Sequence, residues 1–141
     1  MAHPISIRFR RESTAERLKS EAAARSRSTS ALAEELIDEG LRLRRHPLIM
    51  FRDGPAGRRA ALVGGPDVWE VIAGALGGDV PAGARIDRAI ASFGLTRDQV
   101  ETALAYYAEY PAEVDDAIAD NRRVAEEAEA AWSRKQSLLS G

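Results

Sequence analysis

Residues 4–9 alternate strictly. Ile5, Ile7 and Phe9 are apolar, Ser6 and Arg8 are polar, and Arg10 continues the polar side. A period of two is that of a strand with one buried face. The period then lengthens. In "STAE", Ser13 stands three residues before Glu16, a capping box that predicts a helix with Leu18 and Ala22 inward, Lys19 and Arg25 toward solvent, and an end near Arg25. The serine-rich "SRSTS" supplies a turn and makes Ser28 the next N-cap. From there Leu32, Leu36, Ile37 and Leu41 keep helical spacing toward Arg44. Residues 1–45 thus read as strand, helix, helix.

Pro47 ends that helix, because proline disfavours helical geometry at the residue before it. Two short apolar runs, residues 48–51 and 60–63, flank the glycine-proline stretch "RDGPAGRR" and predict a β-hairpin with a longer loop. Asp67 can cap a helix that uses Val68, Trp69, Val71 and Ile72, and a further helix spans about residues 84–93 before Gly94. Thr96 with Gln99 forms another capping box, for a helix bearing Val100, Leu104 and Tyr107. The last two helices, joined across "FGLT", have the shape of a helix-turn-helix. The second of them carries Asp98, Glu101 and Glu109 against Arg97 alone, which argues against its insertion among phosphates.

Pro111 suits the first turn of a long helix over about residues 112–135. Val114, Ile118, Ala125, Ala128 and Trp132 make a thin apolar stripe on it, with acids covering the rest. Such a helix is marginal alone in water, so it is expected to order against a partner with Trp132 as anchor. The expected architecture is mainly α, in three parts: residues 1–45, a hairpin-plus-helices module over 46–110, and an acidic helical tail over 111–141.

The first part poses a stability problem. About 45 residues bearing one amphipathic strand and two short helices bury too little apolar surface to stand alone, and chains of that size lean on disulfides, metals or association. The chain has no cysteine, and its first part shows no set of metal ligands. The expected solution is a homodimer in which the strand pairs with its own copy about a two-fold axis. The outer face of that ribbon would present Ser6 and Arg8 twice, a shape that fits the DNA major groove.

Charge sharpens the contrast between the parts. The 141 residues carry a formal net charge of −2. Residues 1–45 hold 10 Lys+Arg against 7 Asp+Glu, whereas residues 46–141 hold 10 against 15, and residues 109–132 alone hold 8 acids and 2 arginines. The basic part is the candidate for a polyanion, and the acidic tail for a partner of another kind. With 45% hydrophobic and 30% charged residues, no signal-peptide pattern and no apolar run of membrane length, the expectation is a soluble cytoplasmic protein.

The stretch "PISIRFRRESTAERLKSEAAARSRSTSALAEELIDEGLRL" resembles a ribbon-helix-helix DNA-binding domain. That resemblance implies base contacts from the outward strand residues Pro4, Ser6 and Arg8, and a phosphate held at the start of the second helix by Ser28, Thr29 and Ser30. Backbone N–H groups at a helix start do attract anions, and an arginine such as Arg8 can bond guanine bidentately. Arg10 and Arg27 are the neighbouring cations expected on phosphates. Pro4 departs from the pattern, having no side-chain hydrogen-bonding group.

Residues 46–116 are similar to a small winged-helix-like family of unassigned function found in antitoxins of bacterial toxin-antitoxin operons. Where that family presents a "GRPVIRGTRI" type hairpin, this chain has "GRRAALVGGPDV", which has lost most of the polar residues. Together the two resemblances imply a VapB-type antitoxin that represses its own operon through operator DNA and wraps a PIN-domain ribonuclease toxin with its C-terminal segment. The toxin contacts would then involve Val114, Ile118, Arg122, Arg123, Trp132 and Arg134, with a basic side chain reaching the toxin's acidic metal site. The alternative is a ribbon-helix-helix regulator with no toxin, whose C-terminal half senses a ligand or mediates assembly.

No catalytic constellation is visible. His3 and His46 read as surface residues, without a paired spacing such as H-E-x-x-H. Asp115 and Asp116 are helix neighbours that point about 100° apart. "GPAGRR" and "GALGGD" are missing the lysine and hydroxyl that end a phosphate loop. No enzyme activity, cofactor or metal is expected.

Overall fold

In the computed structural model, residues 3–141 are described, and among them the chain forms six α-helices, one 3-10 turn and a two-stranded antiparallel sheet. It divides into two compact units, residues 1–45 and 46–141.

The first unit holds α1 (Glu12–Ala24) and α2 (Thr29–Arg45). The expected Ser13 capping box does not form. Arg11 occupies the N-cap without a side-chain bond, and the helix starts at Glu12, whose carboxylate suits the positive end of the helix dipole. At the other end the N–H groups of Ser26 and Arg27 bond back to Ala23 O at 3.1 Å and Ala22 O at 2.9 Å, with Ser26 in the left-handed region at φ 52°. That is a Schellman motif with serine in the usual glycine place. Ser28 caps α2 as expected, its Oγ accepting from the Ala31 N–H at 3.1 Å. Arg42, Arg44 and Arg45 sit in the last turn, where cations complement the dipole.

Residues 4–9 form no hydrogen-bonded strand in the single chain. A strand exists through ladder bonds to a neighbour, and this chain offers none to that segment. Residues 3–11 are all exposed.

The second unit opens with β1 (Ile49–Gly54) and β2 (Gly57–Leu62), paired from Ile49 with Leu62 to Gly54 with Gly57. The predicted longer loop is corrected to a two-residue turn, Pro55 and Ala56, because the polar residues assigned to it extend the ladder. Arg58 faces Asp53 across the strands at 3.3 Å, and Gly57, at φ 106°, takes the conformation the tight turn needs. Next come α3 (Val68–Leu76), a 3-10 turn at Ala82–Ala84, α4 (Arg85–Phe93), α5 (Arg97–Glu109) and α6 (Pro111–Leu139).

The core of this unit consists of Ile49, Leu62, Val68, Val71, Ile72, Val100 and Tyr106, closed by Ala61, Ala75, Ala89 and Ala103. Small residues let the helices approach closely. A Cβ on Gly74 of α3 would lie 2.7 Å from the Phe93 ring of α4. Gly94, at φ 64°, ends α4 in the left-handed region, and Thr96 with Gln99 forms the expected reciprocal box, with bonds of 3.2 and 2.9 Å. The inward face of α5 is Val100, Ala103 and Tyr106, one step away from the expected Leu104 and Tyr107. In α6, Val114 is buried and Ile118 half-buried, while every residue from 119 to 141 is exposed. No helix among the described residues is long and apolar enough to cross a membrane.

Candidate functional site

Pro4, Ser6, Arg8 and Arg10 are all exposed in the first unit, and neither arginine has a carboxylate partner among the described residues. The apolar residues between them are exposed too: Ile5 at 83%, Ile7 at 55% and Phe9 at 45%. Ile7 and Phe9 line an open apolar groove together with Leu18 of α1 and Ala33, Leu36 and Ile37 of α2. The face that helical spacing marked as inward is therefore half filled. Leu32 is buried, whereas Leu36, Ile37 and Leu41 are not.

At the start of α2 the expected anion-holding residues Ser28, Thr29 and Ser30 are exposed and adjacent. The first-turn N–H groups of a helix have no intrahelical acceptor, which is what an anion would use. Ser28 Oγ already takes the N–H of Ala31. Arg27 is engaged within its own unit, its Nη1 donating to Glu35 at 2.8 Å, so a phosphate would compete with that carboxylate.

On α6 the expected partner-binding residues separate by position. Val114 is buried in the unit's own core and has no surface left for another molecule. Ile118 is half-buried. Arg122, Trp132 and Arg134 are exposed, Trp132 at 63%, on a stretch of helix that also exposes Val124, Leu138 and Leu139. Arg123 donates to Glu127 at 3.3 Å and stands 3.8 Å from Asp120.

Two clusters escaped the sequence reading. The first corrects the placing of His46 at the surface: it is buried, with Nε2 2.9 Å from Glu109 Oε2 and its ring edge-on to Tyr106 and Tyr110 at 5.4 and 6.3 Å. Tyr106 donates in turn to Glu113. Tyr106 and Glu109, at i and i+3 of α5, were open to a local reading; Glu113, across the break at Tyr110, and the histidine 63 residues away from Glu109 were not. The second cluster ties the hairpin to α3. Arg52 bonds Asp67 Oδ1 at 3.0 and 2.8 Å and Gly65 O at 3.0 Å, and Trp69 Nε1 donates to Asp67 Oδ2 at 3.2 Å. Among the described residues no group of three or more His, Asp or Glu is arranged to hold a metal ion.

Of the adjacent acids Asp115 and Asp116, Asp115 has a hydrogen-bond donor of its own. Asp115 accepts from the Tyr107 hydroxyl at 2.8 Å, and this bond, followed by burial and the charge of Asp115, raises the Tyr107 pKa above its ordinary value. No family model, curated protein or solved structure matches this chain.

Proposed function

We propose that this chain is the antitoxin of a two-gene toxin-antitoxin operon. A ribbon-helix-helix homodimer built on residues 1–45 binds operator DNA, and the exposed part of α6, after a winged-helix-like module, neutralises a PIN-domain ribonuclease. One observation carries the reading: among its described residues the first unit buries only Ala22 and Leu32 as apolar side chains, while Ile5, Ile7, Phe9, Leu36, Ile37 and Leu41 stay exposed. At 45–83% exposure, these six side chains still hold roughly half or more of the ~1.5–3 kcal/mol that full burial of each is worth, a strong drive toward association. A second copy supplies the same incomplete surface about a two-fold axis, and closing it pairs the two strands. Arg8 and Arg10 alternate with the apolar residues, so burying Ile5, Ile7 and Phe9 turns the cations outward.

The test is binding to DNA from upstream of the chain's own reading frame, measured over a salt series. Arg8→Ala acts twice in a dimer and should weaken operator binding by about tenfold or more, at ~1–3 kcal/mol per lost base contact. Unchanged affinity and salt slope would contradict the ribbon's role. The toxin part is tested by a chain ending at Val124, which keeps the buried portion of α6 and loses Trp132 and Arg134. It should fail to inhibit the ribonuclease encoded by the neighbouring gene. Full inhibition by the shortened chain would remove the tail from the account. Operator binding with no neighbouring nuclease selects the regulator reading instead.

A further inference from the structure

The second unit contains an open cleft between the tip of the β1–β2 hairpin and α6. Arg59 gives it its chemistry. The Arg59 side chain is 20% exposed, its guanidinium carbon lies 5.9 Å from the centroid of the Trp69 ring, and its nearest carboxylate, Asp120, is 3.7 Å away. That distance is longer than a hydrogen bond. Arg123 stands 3.8 Å from the other oxygen of Asp120 and otherwise meets only the exposed Glu127, a pair of little worth. Two guanidinium groups thus share one half-exposed carboxylate that neither grips. The remaining charges are committed elsewhere, since Arg52 is held by Asp67 and the Gly65 carbonyl, and Asp53 pairs with Arg58.

The Arg59 side chain is largely covered and meets Asp120 beyond hydrogen-bond distance, yet its nitrogens still reach solvent, so its donors are open to an incoming oxyanion. The planar fork of arginine suits a carboxylate or phosphate in two-point contact. Trp69 and Val124 add apolar surface beside the cations, and Asn121 adds an amide. We propose that this cleft is a binding site for a small ligand that carries an oxyanion on an aromatic body, the anion between Arg59 and Arg123 and the ring against Trp69. The site is independent of the antitoxin reading and assigns Arg123 to the cleft rather than to a toxin. Because Asp120, Asn121, Arg123 and Val124 all lie at the start of the exposed stretch of α6, an occupant ties that helix to the hairpin.

The experiment uses the full chain with Trp132→Phe, which leaves Trp69 as its one tryptophan, and follows its fluorescence and the heat of binding. Adenosine monophosphate and benzoate are the aromatic probes, and inorganic phosphate and acetate are their bare-anion controls. At least one aromatic probe should bind saturably and about tenfold or more tighter than its control, and whichever binds identifies the anion as phosphate or carboxylate. Arg59→Ala should weaken that binding by about tenfold or more. Asn121→Phe, a substitution at an exposed helix position that fills the cleft without removing a cation or adding a tryptophan, should abolish it even where Arg59→Ala disturbs folding. Arg97→Ala, which breaks a surface pair with Asp87, should leave it unchanged. No saturable binding of either aromatic probe at millimolar concentration, bare anions that bind as tightly, or binding that survives Asn121→Phe would overturn the proposal.

Discussion

Tyr107 and Asp115 show how one hydrogen bond sets a titration. The neutral phenol donates to the carboxylate, and ionising it would destroy the bond and place two negative charges side by side. Its folded pKa lies above the ordinary 10.0, so the stability this bond contributes is fully present below 10.0 and lost as pH rises through the raised folded value. Asp115→Asn should move the Tyr107 transition, followed by tyrosinate absorbance, back toward the ordinary value; an unmoved transition would show that Asp115 is not the cause. Gly74 makes a steric claim at the same scale. Adding one methyl there brings it to 2.7 Å from Phe93, so Gly74→Ala should lower the unfolding free energy by ~1–3 kcal/mol in denaturant melts, despite alanine's better helix propensity.

At the level of elements, what the sequence made legible was what is local. Ser28, Asp67, Gly94 and Thr96 mark helix ends through bonds or dihedral angles that involve residues at most a few positions away, and all four mark the ends observed. Thr96→Ala removes the acceptor for the Gln99 N–H and should cost ~1 kcal/mol of stability in thermal melts, whereas a change within error would mean that water replaces the box. The Ser13 box failed although its spacing was equally good, because Arg11 provides an alternative start two residues earlier with Glu12 on the dipole. The hairpin was recognised from its two apolar runs. Its turn was misjudged because glycine and proline mark a bend without saying how far the ladder runs, and here Asp53 and Arg58 continue it as a cross-strand pair. Pairings across long sequence distances were invisible: His46 with Glu109, Arg52 with Asp67, Arg59 with Asp120. Each depends on how α3, α5 and α6 fold back, which no window of residues encodes.

The whole molecule divides its labour by where the core lies. The second unit has a continuous interior, from Ile49 of the hairpin through Val71 and Ile72 to Tyr106 and Val114, and needs no other chain to bury it. The first unit has almost none. Its alternating segment was read as a strand from the sequence, and in the single chain that segment is exposed and forms no strand. The most direct measurement of the account is the mass of the full chain in solution across a dilution series, by sedimentation equilibrium, beside Ile7→Asp. The account expects about twice the 15.3 kDa chain mass for the unaltered protein, dissociation toward the monomer with Ile7→Asp, and loss of helical signal as the monomer appears. A folded monomer at every concentration, with the same helical signal in both proteins, would contradict it.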